Sequence, residues 1–365
     1  MQTSDRAVVA KQERFAYADA IRGLAALWVV FRHASHELPD LLDAIPRPVA
    51  KSVFESGYLG VACFFVLSGF VMANTIRKER TDGSFVGRFM IGRFVRLTPP
   101  YYVAIALAIT SAGFEALLRD EPFLPGGAPL SIGRLVVHAL YLQDVTLTTP
   151  MITVLWTLTK EMQFYLVFAG LLWAAHRLAP GDERVRLQVF GAATAVATAF
   201  LISPFELSDR LDATCLPLLY SFLVGVWIYW SRTSRVATVV SWVLLAVMMT
   251  ESLVRGHAFA ALAAGTGVAL YVCSRRPGRT GWSEWRGLKG LAAISYSLYL
   301  IHVVVLGIVQ HGAFGAFGDT LAGQAVYLVV GVTASIAAAT VLWWAVERPS
   351  QTWARRVKAG RRRVA

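Results

Sequence analysis

The segment LAALWVVFRHASHEL, residues 24–38, places an arginine and two histidines in an otherwise apolar stretch. A neutral imidazole accepts a proton near pH 7, so a histidine enclosed by apolar residues is a candidate general base. We predict this catalytic role for His33. The alternative is a structural histidine that hydrogen-bonds to a neighbouring helix. His36 comes one turn later, where polar residues begin, and is expected at a surface.

Arg22 precedes His33 by 11 residues. In a helix this spacing is about three turns plus ~20°, with a rise of roughly 16 Å, so the two side chains share a face and mark its two ends. We predict that Arg22 belongs to the catalytic site and that Asp19, one turn earlier, orients it and contributes to substrate binding. The alternative for Arg22 is an anchor whose side chain reaches the membrane surface.

Glu161 interrupts a second apolar stretch, WTLTKEMQFYLVF, residues 156–168. Its predicted depth matches that of His33, so we expect this carboxylate to orient the imidazole, to stabilise the imidazolium or to bind a substrate hydroxyl. An ion pair with Lys160 is the alternative, although adjacent residues on a helix point in different directions and pair poorly. Trp156 and Tyr165 are predicted to bind substrate, or else to be packing or interfacial aromatics.

The segment GRFMIGRFVRLTPPYY, residues 87–102, concentrates arginines before a proline pair that should loosen the start of a helix. Guanidinium groups clamp phosphates in a bidentate manner, so Arg93 and Arg96 are predicted to bind a phosphate-bearing cofactor. For Arg88 we prefer a role as a basic anchor at the membrane surface.

The segment AAISYSLYLIHVVVL, residues 292–306, carries five polar side chains within eight residues. Ser295 and Tyr299 are expected to line a passage for the same cofactor, and His302 is expected to contact substrate. The alternative is that these groups hydrogen-bond between helices and hold them together.

The composition identifies the class of protein that must position these residues. Of 365 residues, 56% are hydrophobic and only 16% are charged, and the mean hydropathy is +0.53. These values exclude an ordinary soluble domain. We predict an all-α, polytopic transmembrane bundle that forms a single domain over residues 1–365. It has about ten spans, which are residues 20–38, 57–76, 97–114, 153–175, 188–204, 213–230, 236–251, 257–274, 291–310 and 323–345.

The net charge of +12 comes largely from short basic clusters between the apolar stretches and at the end of the chain. Basic loops face the cytoplasm, so both termini, residues 1–18 and 347–365, are predicted to be cytoplasmic. We therefore expect these basic clusters to face anionic lipid, and nucleic acid is not an expected partner. Residues 131–144 are too short and polar to cross, and we expect an interfacial or re-entrant segment. Cys63, Cys215 and Cys273 lack metal-site spacing, and no metal is predicted.

Several segments, taken in order, resemble the integral-membrane acyltransferase-3 family. These are DAIRGLAALWVVFRHA, FFVLSGFVM, RFVRLTPPYY, WTLTKEMQFY, ISYSLYLIH and the closing VERP. Members O-acylate bacterial surface sugars, lipid-linked glycans, nodulation factors and some macrolides. The resemblance implies that His33 corresponds to the essential histidine, and that Arg22, Arg93, Arg96 and Glu161 occupy positions of functional residues.

The resemblance also implies acyl-CoA, with acetyl-CoA expected, as donor and a glycan or lipid-linked sugar hydroxyl as acceptor, in a bacterial inner membrane. We therefore expect an O-acyltransferase whose partners are membrane lipids and the glycan; a homo-oligomer is left open. A small glycoside such as a macrolide is an alternative acceptor. A proton-coupled transporter or flippase, in which Arg22, His33 and Glu161 form a proton relay, is the alternative class.

Overall fold

The computed structural model describes residues 15–76, 85–202, 209–275 and 281–360, and among these it contains helices and turns but no strand. In hydrocarbon the backbone must satisfy its own hydrogen bonds, and a helix does so within one segment. The predicted all-α architecture is confirmed. The predicted cytoplasmic residues 1–14 and 361–365, and parts of the basic loops 77–84 and 276–280, lie outside the described residues.

The longer helices are labelled here in chain order. They are α1 (Ala16–Ala34), α2 (Gly60–Ile76), α3 (Phe85–Arg119), α4 (Ile132–Ala139), α5 (Trp156–Leu178), α6 (Glu183–Ile202), α7 (Leu219–Trp230), α8 (Arg235–Arg255), α9 (Ala258–Arg275), α10 (Arg286–Phe317), α11 (Leu321–Leu342) and α12 (Arg348–Gly360). A π-helical turn, Trp343–Glu347, joins α11 to α12. Each of the ten predicted spans overlaps one helix, from α1–α3 and α5–α11.

Seven stretches of helix in the described part of the chain are long and apolar enough to cross a membrane. They are Arg47–Ile76, Val86–Arg119, Glu183–Ile202, Arg235–Arg255, Ala258–Arg275, Arg286–Phe317 and Leu321–Arg356. A shorter apolar helix covers Leu216–Trp230. Helices α1 and α5 are not among the seven, because their polar and charged residues lower their hydropathy. The chain is an integral membrane protein in which the two helices that carry the predicted catalytic residues are the least suited to face lipid.

Two predicted boundaries are wrong. The first helix ends at Ala34 rather than 38, and Ser35–Glu37 form a 3₁₀ turn before Pro39, which has no N–H to continue a helix. The proline pair does not loosen a helix start, since α3 begins at Phe85 and runs through Pro99 and Pro100. The hydroxyl of Tyr296 donates to the carbonyl oxygen of Leu97, at 2.7 Å, and supports the backbone beside the prolines.

Helices α1 and α10 run parallel and in close contact. A Cβ atom added at Gly23 would lie 2.8 Å from the backbone nitrogen of Ala292. Ten residues further along both helices, His33 lies beside His302. This constant offset shows that the two helices keep one register over this length. The glycine lets the two backbones approach at the start of the contact.

Helix α2 packs against α7 through two reciprocal glycines. A Cβ atom at Gly69 would collide with the carbonyl oxygen of Phe222, and one at Gly225 would collide with that of Val66. Both glycines therefore serve close packing between the two helices.

Residues 131–144 contain only the eight-residue helix α4, which rises about 12 Å and cannot span a bilayer. Its Arg134 side chain is buried and donates to the carbonyl oxygens of Ala128 and Thr149, at 2.6 and 3.1 Å. His138 accepts the backbone N–H of Met151 at its Nε2 atom, at 3.1 Å. These bonds hold α4 and the loop that follows it against the start of α5.

Replacing Gly69 with leucine should destabilise the protein, because a side chain there forces α2 and α7 apart. Overpacking of this kind costs about 1–3 kcal/mol. The free energy of unfolding in mixed detergent micelles measures the effect. Gly170→Leu is the matched control, since no atom lies within 4 Å of a Cβ atom built at Gly170. Equal stability of the two variants would contradict the packing described here.

Candidate active site

His33 lies in the last turn of α1, half-buried, with its ring centroid 5.0 Å from that of His302 on α10. His302 is completely buried. The parallel register of α1 and α10 therefore brings together two histidines that lie 269 residues apart in the sequence. The prediction placed both in the site, but it did not pair them.

The environment of His302 selects its tautomer. Its Nδ1 atom lies 3.0 Å from the carbonyl oxygen of Leu298 and 2.9 Å from that of Tyr299. Carbonyl oxygens only accept hydrogen bonds, so Nδ1 must carry the hydrogen. Its Nε2 atom is buried without a hydrogen-bond partner among the described residues. His302 thus holds a buried proton acceptor close to His33.

His36 is exposed beyond the end of α1, with its ring centroid 5.9 Å from that of His33. Partial desolvation and the charge of Arg32 lower the pKa of His36, and Glu37 opposes this shift. His36 is therefore largely uncharged at neutral pH. It does not place a positive charge beside His33 under those conditions.

The structure does not bring the Glu161 carboxylate to His33. Its Oε1 atom accepts a hydrogen bond from Ser68, at 2.6 Å, and another from the hydroxyl of Tyr165. The ion pair with Lys160, which was the alternative, is also not formed. Lys160 lies 3.6 Å from Asp144 instead, because neighbouring residues on α5 point to different sides. No hydrogen bond joins Glu161 to His33 among the described residues, and a catalytic role for Glu161 stays a prediction.

Arg93 lies close to this carboxylate, behind Tyr165. Its guanidinium is buried, stands over the ring of Tyr165 with 5.3 Å to the centroid, and donates to Thr75 at 3.3 Å. Tyr165 is 3% exposed and separates Arg93 from Glu161. The tyrosine predicted to bind substrate therefore contacts the buried Arg93 and the half-buried Glu161.

Two further residues of the predicted cofactor site are held by hydrogen bonds within and between helices. The hydroxyl of Tyr299 accepts a hydrogen bond from Thr157, at 2.8 Å, and donates to the carbonyl oxygen of Val154, at 3.2 Å. Ser295 is buried and donates to the carbonyl oxygen of Ala292 in its own helix, at 2.9 Å. For this pair the structure shows the alternative, hydrogen bonding within and between helices, rather than a lining for a passage with Arg93.

A second charged group surrounds the start of α1. Arg22 forms an ion pair with Asp19, as expected. Glu347, only 4% exposed, accepts hydrogen bonds from the backbone and hydroxyl of Ser297, at 3.3 and 2.7 Å. The positive charges of Arg96 and Arg22 both act on this carboxylate. The cations that could hold phosphates thus gather at one end of the α1–α10 pair, and the histidines lie at the other.

Sequence reasoning missed Ser68 and Glu347. Ser68 lies in the apolar segment FFVLSGFVM, where a single hydroxyl does not reveal a partner on another helix. Glu347 was quoted in the closing VERP segment without a role, although a carboxylate that ends an apolar span requires a partner. Trp156, 36% exposed, faces a cleft on the other side of α5. Within the described residues, no group of three or more His, Cys, Asp or Glu side chains is arranged to hold a metal ion.

The geometry combines a pair of imidazoles, one with a free buried acceptor, and a cationic group roughly 16 Å away along α1. The first can move a proton from a hydroxyl. The second can bind an anionic group such as a phosphate. A reaction that uses both requires a substrate long enough to reach from one end of the helix pair to the other.

Comparison with known proteins supports a specific family. The model of the acyltransferase-3 family, described as an acyltransferase domain, matches residues 15–344. The chain is 43% identical over 96 residues to protein 2 in the picA locus of Rhizobium radiobacter, a match that covers 26% of this chain and 44% of that protein. No solved structure matches.

Two relatives have names that describe a function. Peptidoglycan O-acetyltransferase OatA of Listeria monocytogenes is 30% identical over 166 residues, which cover 43% of this chain and 24% of that protein. Exopolysaccharide production protein ExoZ of Rhizobium meliloti is 28% identical over 183 residues, which cover 47% of this chain and 50% of that protein. The chain spans half or less of the length of these relatives. The match of the family model over nearly the whole described chain shows that this membrane protein belongs to the acyltransferase-3 family.

Proposed function

We propose that this protein is a membrane O-acyltransferase that moves an acyl group, expected to be acetyl, from acyl-CoA to a hydroxyl of a polysaccharide or lipid-linked glycan. Membership of an acyltransferase family supports the reaction class. The names of OatA and ExoZ support a glycan acceptor. The expected location is the bacterial inner membrane, with the arginine end of α1 toward the cytoplasm.

The observation that carries the proposal is the pairing of His33 with His302 at one end of two parallel helices. The basic residues Arg22 and Arg96 stand at the other end and act on a shared carboxylate. The phosphates of CoA would bind these guanidinium groups. The long phosphopantetheine arm would extend along α1 and bring the thioester to the imidazole.

In the proposed reaction, the sugar hydroxyl attacks the thioester carbonyl carbon while His33 accepts its proton. A C–O bond forms, the C–S bond breaks, and the proton passes from the imidazolium to the CoA thiolate that leaves. His302 favours protonation of His33, because its ring lies beside that of His33 and its Nε2 is a free acceptor. In its neutral form the His302 ring adds no positive charge. A covalent acyl-histidine is the competing route, and radiolabelled acyl groups retained on the protein without acceptor would reveal it.

Glu161 has a different role in this scheme from the one predicted by sequence. Its carboxylate accepts a hydrogen bond from Tyr165, whose ring lies under Arg93, and it lies one turn after Thr157, which anchors Tyr299. Tyr299 in turn packs beside His302, with 5.9 Å between ring centroids. Glu161 would therefore act on the histidines through intervening side chains.

Replacing His33 with alanine should lower acyl transfer by about 10²- to 10⁴-fold, because general-base assistance is lost. Release of free CoA by the purified protein in nanodiscs, followed with a thiol reagent, measures this change. His257→Ala, which alters an exposed histidine between α8 and α9, should keep full activity. Undiminished CoA release by folded His33→Ala protein would overturn the proposed role. A transporter would release no CoA in either form.

Replacing Arg96 with alanine should raise KM for acyl-CoA by roughly 10- to 100-fold, because a hydrogen bond to a charged phosphate is lost. The KM for acyl-pantetheine, which has the same thioester but no phosphate, should not change. Arg119→Ala removes an arginine at the opposite end of α3, where it pairs with Glu115 at 3.6 Å, and is the control. An equal rise in KM for both thioesters would contradict phosphate binding by Arg96.

A further inference from the structure

A cleft of about 430 Å³ opens beside the first turns of α5, on the side away from His33. The loop after α4 and the segment before α7 form its other walls. It is lined by Gln143, Asp144, Leu147, Thr148, Trp156, Lys160, Asp212, Ala213, Pro217 and Leu218. This volume lies in the usual range for a pocket that binds a small molecule.

Helix α5 separates this cleft from the proposed active site. Trp156 and Lys160 are one turn apart and face the cleft. Thr157 and Glu161 are each rotated by about 100° around the helix axis from Trp156 and Lys160. They contact Tyr299 and Ser68, on the side of α5 away from the cleft. One helix therefore shapes both sites, and a ligand held in the cleft lies next to the residues that anchor Tyr299.

The inner end of the cleft contains polar groups with unused hydrogen-bonding capacity. Lys160 and Asp144 lie 3.6 Å apart with side chains 6% and 14% exposed, and together they carry no net charge. The Oδ2 atom of Asp144 is the atom that faces Lys160, and it has no closer hydrogen-bond partner in the described part of the chain. Both polar atoms of the Gln143 amide also lack one, and that side chain is 1% exposed. The nearby Tyr101 hydroxyl instead donates to the carbonyl oxygen of His138, at 2.9 Å.

A buried amide without partners is costly and requires an explanation. Here the unpartnered amide of Gln143, the Asp144 carboxylate that pairs with Lys160, and the partly exposed indole of Trp156 line the same cleft. An indole offers a flat apolar surface, whereas the amide and the carboxylate offer donors and acceptors. A sugar ring matches this combination, because its C–H face is apolar and its hydroxyls both donate and accept.

The loop that carries Gln143 and Asp144 is held in a strained conformation. Tyr141 and Leu147 have φ angles of 58° and 52°, which residues other than glycine rarely adopt. Tyr141 is fixed by stacking on Tyr101, with 4.3 Å between centroids, and by a hydrogen bond to Thr98 at 3.2 Å. Strain maintained in this way is common at ligand sites.

We infer that this cleft binds a neutral sugar ring of the acceptor glycan, stacked on Trp156 with its hydroxyls bonded to Gln143 and Asp144. The inference rests on the proposed function and names the place where the acceptor is held. The neutral Lys160–Asp144 pair favours an uncharged sugar over an acidic one. A neighbouring sugar unit of the same chain could then pass beyond α5 toward His33.

Direct binding tests the inference without acyl transfer. Saturation-transfer NMR with the full-length protein in nanodiscs uses cellobiose and N,N′-diacetylchitobiose as probes, with no acyl donor present. At least one disaccharide should bind. Trp156→Ala and Asp144→Asn should each weaken its affinity by about tenfold or more, because each removes a central contact of the pocket. Trp353→Ala, which alters a tryptophan that is 59% exposed on α12, should bind like the unmodified protein.

Hydrolysis of the donor in the absence of acceptor separates this inference from the proposed function. Trp353→Ala should cleave acetyl-CoA at the unmodified rate, whereas His33→Ala should not cleave it. Disaccharide binding that is absent, or that is unchanged in both cleft variants, overturns the sugar site and leaves the acyltransferase proposal standing. Binding that depends on Trp156, together with no CoA release by the unmodified protein when acetyl-CoA and the bound disaccharide are both present, would support the cleft and refute the reaction.

Discussion

The close parallel contact between α1 and α10 is the constraint on which the candidate active site depends. Gly23 lets the backbones meet at Ala292, and the common register then places His33 beside His302. His33 lies near the start of the chain and His302 toward its end, so the pair forms only when α1 and α10 pack together. The same contact separates the basic group around Arg22 from the histidines by the length of α1.

The polar helices are tolerated because apolar helices surround them. Helices α1 and α5 carry ionisable groups that are costly in hydrocarbon, and most of those near the candidate site have a polar side-chain partner. Asp19 pairs with Arg22, Lys160 with Asp144, and Glu161 is bonded by Ser68. The surrounding spans provide the apolar exterior. Their role is to keep lipid away from a polar interior that can hold substrates.

The spans could be predicted from sequence because the length of an apolar stretch depends on bilayer thickness and not on its neighbours. The partners of Glu161 could not, since they depend on which helix lies alongside α5. Ser68 is 93 residues away and looks like an ordinary residue of an apolar span. The role of Glu347 was hidden for the same reason, because Ser297 becomes its neighbour only after α10 and α11 pack together. The spacing of Arg22 and His33 was informative because it lies within one helix.

The two carbonyl oxygens that receive Nδ1–H of His302 have a consequence for proton movement. Loss of that hydrogen would leave a nitrogen lone pair facing two acceptors, so the ring keeps this N–H in either protonation state. A proton that arrives at Nε2 must leave from Nε2. Such an imidazole can accept and release a proton at Nε2, but it cannot transfer one from Nε2 to Nδ1. A proton relay across the membrane therefore could not pass through this residue.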